Sequence, residues 1–273
     1  MSAKKSKIKL HFKKLSISDK AKDTIIFLHG FTGSLNDWEK ISSQFNGDYN
    51  INAIDLIGHG KIDSPNEISK YLTSSQIDQL FRTISLITKD KIILAGYSMG
   101  GRLALSFSTV YPEMLKGLIL ESTAAGIVDE YLREERRKKD EELANFILNN
   151  PIEKFVDYWM NLDIFSTQKN LPEEILLKLK KDKLKNNKTG LANSLLGFSI
   201  GIMPPLFEKL KEINIKTLLI TGELDKKYTN INNEMLKLFS AGKHAIIKNA
   251  GHNIHLEKPE IFYNVINNYL KEL

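Results

Sequence analysis

The chain has 273 residues, with 39 Lys and Arg against 33 Asp and Glu, a formal charge of +6 at pH 7. Apolar residues make up 42% and charged residues 26%, the usage of a globular protein with a sizeable core, which excludes a disordered or collagen-like chain. Cysteine is absent, which removes disulfide scaffolds, thiolate zinc sites, iron–sulfur clusters and cysteine nucleophiles together and fits a reducing compartment.

No stretch approaches the ~18 uninterrupted apolar residues of a transmembrane helix, so no stable membrane insertion is expected. Met1 to Lys14 alternates Lys with apolar residues and has no apolar h-region. It does not read as a secretory signal, and a cytoplasmic location is expected. The lysines are spread along the chain beside many Asn and Ile, with no nucleic-acid motif. The basic balance therefore reads as composition, and no nucleic-acid partner is expected.

In chain order, short apolar runs alternate with amphipathic segments. Strands are expected at Lys7–Leu15, Thr24–Leu28, Ile51–Leu56, Lys91–Ala95 and Gly117–Leu120. Continuous runs such as Ile25–Leu28 and Ile92–Ala95 suit strands buried on both faces of a parallel sheet. Between them, Ser34–Phe45 reads as a helix opened by a Ser cap. Ser74–Ile87 places Ile77, Leu80, Phe81, Ile84 and Ile87 at helical spacing. From about Thr123 to Pro204 no strand is expected. Asp129–Leu148 reads as one long charged helix, and Pro151, Pro172 and Asn186-Asn187 punctuate the rest of that zone. Alternation then resumes, with strands at Thr217–Ile220 and His244–Ile247 and helices at Ile231–Phe239 and Pro259–Leu270. This order predicts an α/β chain with a mostly parallel central sheet flanked by helices and a helical cap inserted after the strand ending near Glu121. The expected division is 1–122 and 205–273 for the core and 123–204 for the cap.

The strongest local signal is Gly96-Tyr97-Ser98-Met99-Gly100, directly after the buried run Ile92–Ala95 and before a helical stretch, Arg102 to Ser108. A sharp strand-to-helix turn forces an unfavourable backbone at the serine, and glycines two positions either side leave room for it. Such a turn lifts Ser98 Oγ above the sheet edge and aims helix N-terminal N–H groups at whatever it meets. A hydroxyl needs a base, and His252, in Asn249-Ala250-Gly251-His252-Asn253 after a strand, is the best placed of six histidines. His255 reads as packing or capping. His59, His11 and His244 read as structural. Asp225, after Thr217–Ile220, is the expected acid, with Glu223 as the alternative; serine, acid, histidine is the chain order that goes with this turn. Two backbone donors for an oxyanion are expected from Met99 and from Phe31 in His29-Gly30-Phe31-Thr32-Gly33-Ser34, with His29 behind the site holding the loop.

These motifs resemble the α/β-hydrolase superfamily over nearly the full length. Four stretches sharpen the resemblance: Leu28–Ser34 ahead of Asp37-Trp38, Asp55–Gly60, Gly96–Arg102 and Glu121–Ile127. Together they are similar to the 2-succinyl-6-hydroxy-2,4-cyclohexadiene-1-carboxylate synthases of menaquinone biosynthesis. The resemblance implies a carbon–oxygen lyase in which a serine triad eliminates pyruvate from a small polycarboxylate, with no acyl-enzyme and no metal or organic cofactor. It implies substrate contacts from Tyr97, Arg102, a cap arginine and Trp159. Arg133, Arg136 and Arg137 compete for the cap position, and the family spacing of Arg to Asp four residues later favours Arg136. The third cationic contact of the family, an arginine, falls at Lys183, which keeps the charge and loses the fork. The Pro-Gly that opens the family's cap is Ala125-Gly126 here.

Arg102 carries most of the discrimination. A guanidinium one helical turn after the nucleophile is costly to desolvate unless paired. It either clamps a substrate carboxylate bidentately or pairs with a protein carboxylate such as Asp55. Two rivals remain. One is a carboxylesterase or carbon–carbon bond hydrolase with an acyl-enzyme step. The other is a non-catalytic ligand-binding protein. A monomer or weak homo-oligomer is expected.

Overall fold

Seven strands order the computed structural model, which describes residues 8–19, 21, 23–45 and 47–273. In chain order these are β1 (Phe12–Ser16), β2 (Thr24–Leu28), β3 (Asn50–Ile54), β4 (Ile92–Tyr97), β5 (Leu115–Glu121), β6 (Thr217–Gly222) and β7 (Gly242–Ile247). The helices are α1 (Glu39–Ser42), α2 (Thr73–Ile87), α3 (Met99–Ser108), α4 (Glu130–Asn149), α5 (Ile152–Met160), α6 (Glu173–Lys183), α7 (Lys188–Phe198), α8 (Lys226–Leu236), α9 (Ile254–Glu257) and α10 (Pro259–Leu270).

The expected strands lie within a few residues of the observed ones. The first was expected from Lys7, which lies outside the described residues; among those described it begins only at Phe12. Ser34–Phe45 is not one helix. Ser34 and Asp37 form a reciprocal capping box on a 3₁₀ turn, Leu35–Trp38, and only Glu39–Ser42 is α-helical before a second 3₁₀ turn. The helix expected from Ile231 begins five residues earlier. Asp225 accepts the Tyr228 N–H at 3.2 Å and so caps a polar first turn that hydrophobic spacing cannot reveal. Pro151, Pro172 and Asn187 sit at the N-caps of α5, α6 and α7, which is how they punctuate the strand-free stretch between β5 and β6.

The sheet order is β1-β3-β2-β4-β5-β6-β7, with β1 antiparallel to β3 and every other pair parallel. The apolar runs bury both faces by alternation. Ile26, Leu28, Leu94, Leu118 and Leu120 pack on one side with Leu80 and Ile84 of α2 and Leu103 and Phe107 of α3. Ile25, Phe27, Ile93, Ala95 and Ile119 pack on the other with Ile41 of α1 and Phe262 and Ile266 of α10. Phe27 stacks on Trp38 with centroids 4.6 Å apart, and fully burying a side chain of this size contributes ~1.5–3 kcal/mol. A third cluster, among Ala144, Ile147, Phe155, Val156 and Leu191, joins α4, α5 and α7.

The topology places the site. From β2 the chain moves outward to β3, then returns across β2 to β4. The strand order therefore reverses between β2 and β4, and in open α/β sheets ligands bind at such a switch, outside the carboxyl ends of the strands. The His29–Ser34 loop leaves β2 there and Ser98 leaves β4 beside it.

Candidate active site

Ser98 links β4 to α3 with φ 49° and ψ −103°, left-handed backbone that a non-glycine residue adopts only under constraint. Its own N–H donates to Glu121 O at 2.9 Å and its carbonyl accepts from Arg102 N–H at 3.0 Å, so strand and helix pin it from both sides. The flanking glycines are required by approach distance. A Cβ on Gly96 would meet the backbone of Gly100 and Gly101, and one on Gly100 would meet the carbonyls of Leu28 and His29. The start of α3 therefore sits hard against the loop after β2.

Ser98 Oγ donates to His252 Nε2 at 3.1 Å, and His252 Nδ1–H donates to Asp225 Oδ2 at 2.6 Å. His252 and Asp225 are both buried, 3% and 9% exposed. In water such a pair would be screened; here it holds one tautomer and one ring orientation. Tyr228 closes the other face of the imidazole, T-shaped at 4.5 Å. Glu223, the alternative acid, instead accepts the Asn249 N–H at 3.0 Å. His255 donates both its backbone N–H and Nδ1–H to Glu121 and stacks on Trp38 at 4.2 Å, a buried packing role. Tyr97 is buried between the two histidines, 5.5 Å from His252 and 5.0 Å from His255.

The loop after β2 is held from below. His29 Nδ1–H donates to Gly30 O at 2.7 Å, and its Nε2 accepts the Leu56 N–H at 3.0 Å. His59 lies under it with Nδ1–H on Ile57 O and Nε2 without a partner; burial pulls its pKa down to about 3, with His29 adding to the effect. Phe31 packs edge-on against Trp159 at 5.0 Å and Phe155 at 6.3 Å, both from α5. Thr32 has φ 66°, a conformation that costs a β-branched residue of order 1–3 kcal/mol. Two side chains from the α6–α7 junction meet it: Lys183 Nζ donates to Thr32 Oγ1 at 2.7 Å and Asn186 Nδ2 donates to Thr32 O at 3.0 Å. Burial lowers the Lys183 pKa, opposed by Asp37 and Asp182.

Arg102 is separate from that group. Its Nη2 donates to Phe198 O at 3.2 Å, its guanidinium lies 5.6 Å from the Phe198 ring centroid, and its Nε has no partner among the described residues. The internal ion pair with Asp55 is not formed. Asp55 is occupied by His11 Nδ1, Leu35 N–H and Lys61 N–H at 2.8, 2.8 and 3.0 Å. Burial pulls the Arg102 pKa to about 10, with the Tyr228 phenol, Arg136 and Asp140 as the neighbouring titratable groups, so the side chain stays cationic at neutral pH. Among the three arginines of α4, Arg133 and Arg137 donate to carbonyls of Gly201, Ile202 and Met203. Arg136 alone binds Asp140 side-on through Nε, at 2.9 and 2.8 Å.

Sequence reasoning passed over three contributors. Tyr228 was hidden in the polar first turn of α8. Asn186 was visible only as punctuation. Thr32 carried no signal, because a left-handed threonine is a property of the loop and not of the residue. Beyond the Phe31–Leu35 segment a cleft of about 680 Å³ runs between the core and α6, lined among others by Phe31, Tyr97, Phe165, Lys183 and His255. Ser98, Arg102 and His252 are not part of its lining.

A parallel sheet with a strained serine at its switch point, and histidine and aspartate delivered by loops after β7 and β6, defines an α/β-hydrolase fold with a Ser-His-Asp constellation. The family model described as the alpha/beta hydrolase fold matches residues 23–259. A protein of Bacillus subtilis (strain 168), which bears the name 2-succinyl-6-hydroxy-2,4-cyclohexadiene-1-carboxylate synthase provisionally, is 40% identical over 93% of this chain and 92% of its own. The synthase of that name from Enterobacter sp. (strain 638) is 32% identical over 86% of each. The structure of MenH from S. aureus superposes with a TM-score of 0.91 and 33% identity, over 96% of this chain and 98% of that one. An esterase from Thermogutta terrifontis, at 22% identity and TM-score 0.85, shares the fold. The chain belongs to the α/β-hydrolase family and, within it, to the 2-succinyl-6-hydroxy-2,4-cyclohexadiene-1-carboxylate synthases.

Proposed function

We propose that the protein eliminates pyruvate from 2-succinyl-5-enolpyruvyl-6-hydroxy-3-cyclohexene-1-carboxylate, giving 2-succinyl-6-hydroxy-2,4-cyclohexadiene-1-carboxylate in menaquinone biosynthesis. The observation that carries the reading is the unsatisfied Arg102. A buried cation one turn past Ser98, with no carboxylate paired to it and no partner for its Nε among the described residues, suits a substrate carboxylate and not a neutral ester. Arg136 is a second guanidinium nearby, fixed by Asp140 through its Nε.

In this mechanism His252 draws the proton from Ser98 Oγ, and the Ser98 oxygen removes a ring proton next to the leaving group. The electron pair released forms the new ring double bond, and the carbon–oxygen bond to the enolpyruvyl group breaks. Charge that develops on a substrate oxygen meets the N–H groups of Phe31, in the loop after β2, and of Met99, at the start of α3. The proton gained by His252 returns to the departing enolate, which leaves as pyruvate. Asp225 fixes the imidazole and stabilises its cation throughout. Tyr97 and Trp159 wall the ring pocket, and α4–α7 act as a cap over it. No bond between Ser98 and a substrate carbon is formed or broken.

Among the described residues no helix is long and apolar enough to cross a membrane. A cytoplasmic location and a small anionic substrate are part of the proposal. The test is to supply the enolpyruvyl precursor and follow pyruvate release against p-nitrophenyl ester cleavage. Pyruvate release with negligible ester cleavage is expected, and the reverse would place the protein among the hydrolases. Intact-mass measurement after rapid quench is expected to return unmodified protein; a substrate-derived adduct on Ser98 would overturn the elimination mechanism.

A further inference from the structure

We infer that Lys183 and Asn186 are positioning residues for the loop that carries the Phe31 N–H, gripping Thr32 in its left-handed conformation. The inference rests on the elimination reading above, in which Phe31 stabilises developing charge.

Three observations converge. Thr32, the residue next to Phe31, holds φ 66° although it is β-branched, so something outside the residue must impose that backbone. The two side chains that reach it hold both ends of its polarity: Lys183 takes the hydroxyl at 2.7 Å and Asn186 takes the carbonyl at 3.0 Å. Both come from the α6–α7 junction, about 150 residues away in the chain, and Asn186 is itself tied back to Lys183 by a bond from Nδ2 to Lys183 O at 3.0 Å. Phe31 is meanwhile wedged against Trp159 and Phe155 of α5. The inserted helices thus touch the loop at consecutive residues, once by packing and once by hydrogen bonds. The charges around Lys183, Asp37 and Asp182, are not those around Arg102, which are Arg136, Asp140 and the Tyr228 phenol. Lys183 lines the cleft beside the loop it holds, and Arg102 does not.

The consequence for catalysis is specific. An oxyanion donor contributes only when charge has developed, so a loosened donor lowers kcat and leaves KM nearly unchanged. A lost substrate contact instead raises KM. Lys183→Met, Thr32→Val and the double variant separate the two, with Thr32→Ser as the substitution that keeps the hydroxyl. We expect Lys183→Met and Thr32→Val each to lower kcat by ~10-fold with KM within ~2-fold. The double variant should be no worse than the poorer single one, because both remove the same bond. Thr32→Ser should retain most of the activity. Amide hydrogen exchange at Gly33, whose N–H bonds to Gly30 O at 3.0 Å, should accelerate ~10-fold in Lys183→Met and stay near wild type in Thr32→Ser. A raised KM with kcat preserved in Lys183→Met, additive losses in the double variant, or unchanged exchange at Gly33 would each overturn the inference. Exchange is read without substrate. If the wild-type protein releases no pyruvate, the functional reading falls while the exchange comparison still decides the grip on Thr32.

Discussion

Arg102 is a cation whose direct contacts are one carbonyl and one aromatic ring, both of Phe198, with the Arg136–Asp140 pair nearby. That poverty of partners is what makes it informative. Truncating a buried guanidinium that has an obligatory protein carboxylate strands that carboxylate and destabilises the fold; truncating one without such a partner strands nothing. Arg102→Ala is therefore expected to lower kcat/KM by ~2–4 kcal/mol equivalent, the scale for removing one member of a desolvated charge pair, while stability falls by only ~1 kcal/mol from lost packing. Arg102→Lys should recover part of the loss, since an ammonium lacks the fork. Melting temperature and kcat/KM measured on one preparation decide it: a large melting-temperature drop with normal activity per folded molecule rejects the carboxylate clamp. For the nucleophile itself, Ser98→Ala and His252→Ala should each reduce turnover by at least ~10³-fold. Near-normal turnover in Ser98→Ala would sink any serine-based mechanism.

At the scale of elements, Asp225 does two jobs with its two oxygens. Oδ2 accepts from His252 and Oδ1 caps α8 through the Tyr228 N–H. The roles separate by substitution. Asp225→Asn keeps an N-cap oxygen and should unfold within ~0.5 kcal/mol of wild type while losing most of its turnover. Asp225→Ala should lose ~1 kcal/mol of stability in addition. Equal stability in the two variants, measured by urea unfolding, would show that the cap contributes nothing. The same residue marks how far the sequence could be read. Alternating apolar runs located every strand, and Thr24–Leu28 and Pro259–Leu270 coincide with their elements to the residue. Periodicity failed where polar caps decide the start, as at Lys226, and where a capping box tightens a helix into 3₁₀ turns, as at Leu35–Trp38. The serine, acid and histidine were legible because each follows its own strand. The partner of Lys183 was not, because nothing in a linear pattern says which loop an inserted helix will touch.

Across the whole molecule, His59 couples stability to acid. Burial holds its folded-state pKa near 3, whereas in the unfolded chain it titrates near the ordinary ~6.5. Between those values the unfolded state binds the extra proton, so its contribution is fully present above ~6.5 and lost as pH falls toward 3, at up to about 1.4 kcal/mol per pH unit. His59→Asn should flatten the fall in urea-unfolding stability between pH 6 and 4 by close to one proton; an unchanged slope would mean that His59 is not the group responsible. A different consequence comes from the span of the catalytic contacts. The bond between Ser98 and His252 joins positions 154 residues apart, and the Tyr269 side chain bonds to Leu118 across 151. At a translation rate of roughly 5–20 residues per second, the nucleophile exists for roughly 8–30 s before its base has been synthesised. The β2–β4 centre can collapse in that interval with its serine already strained into place, but such a nascent chain has no means of taking the proton. In the proposed mechanism reactivity therefore arrives late and all at once, when the chain after β7 delivers the base.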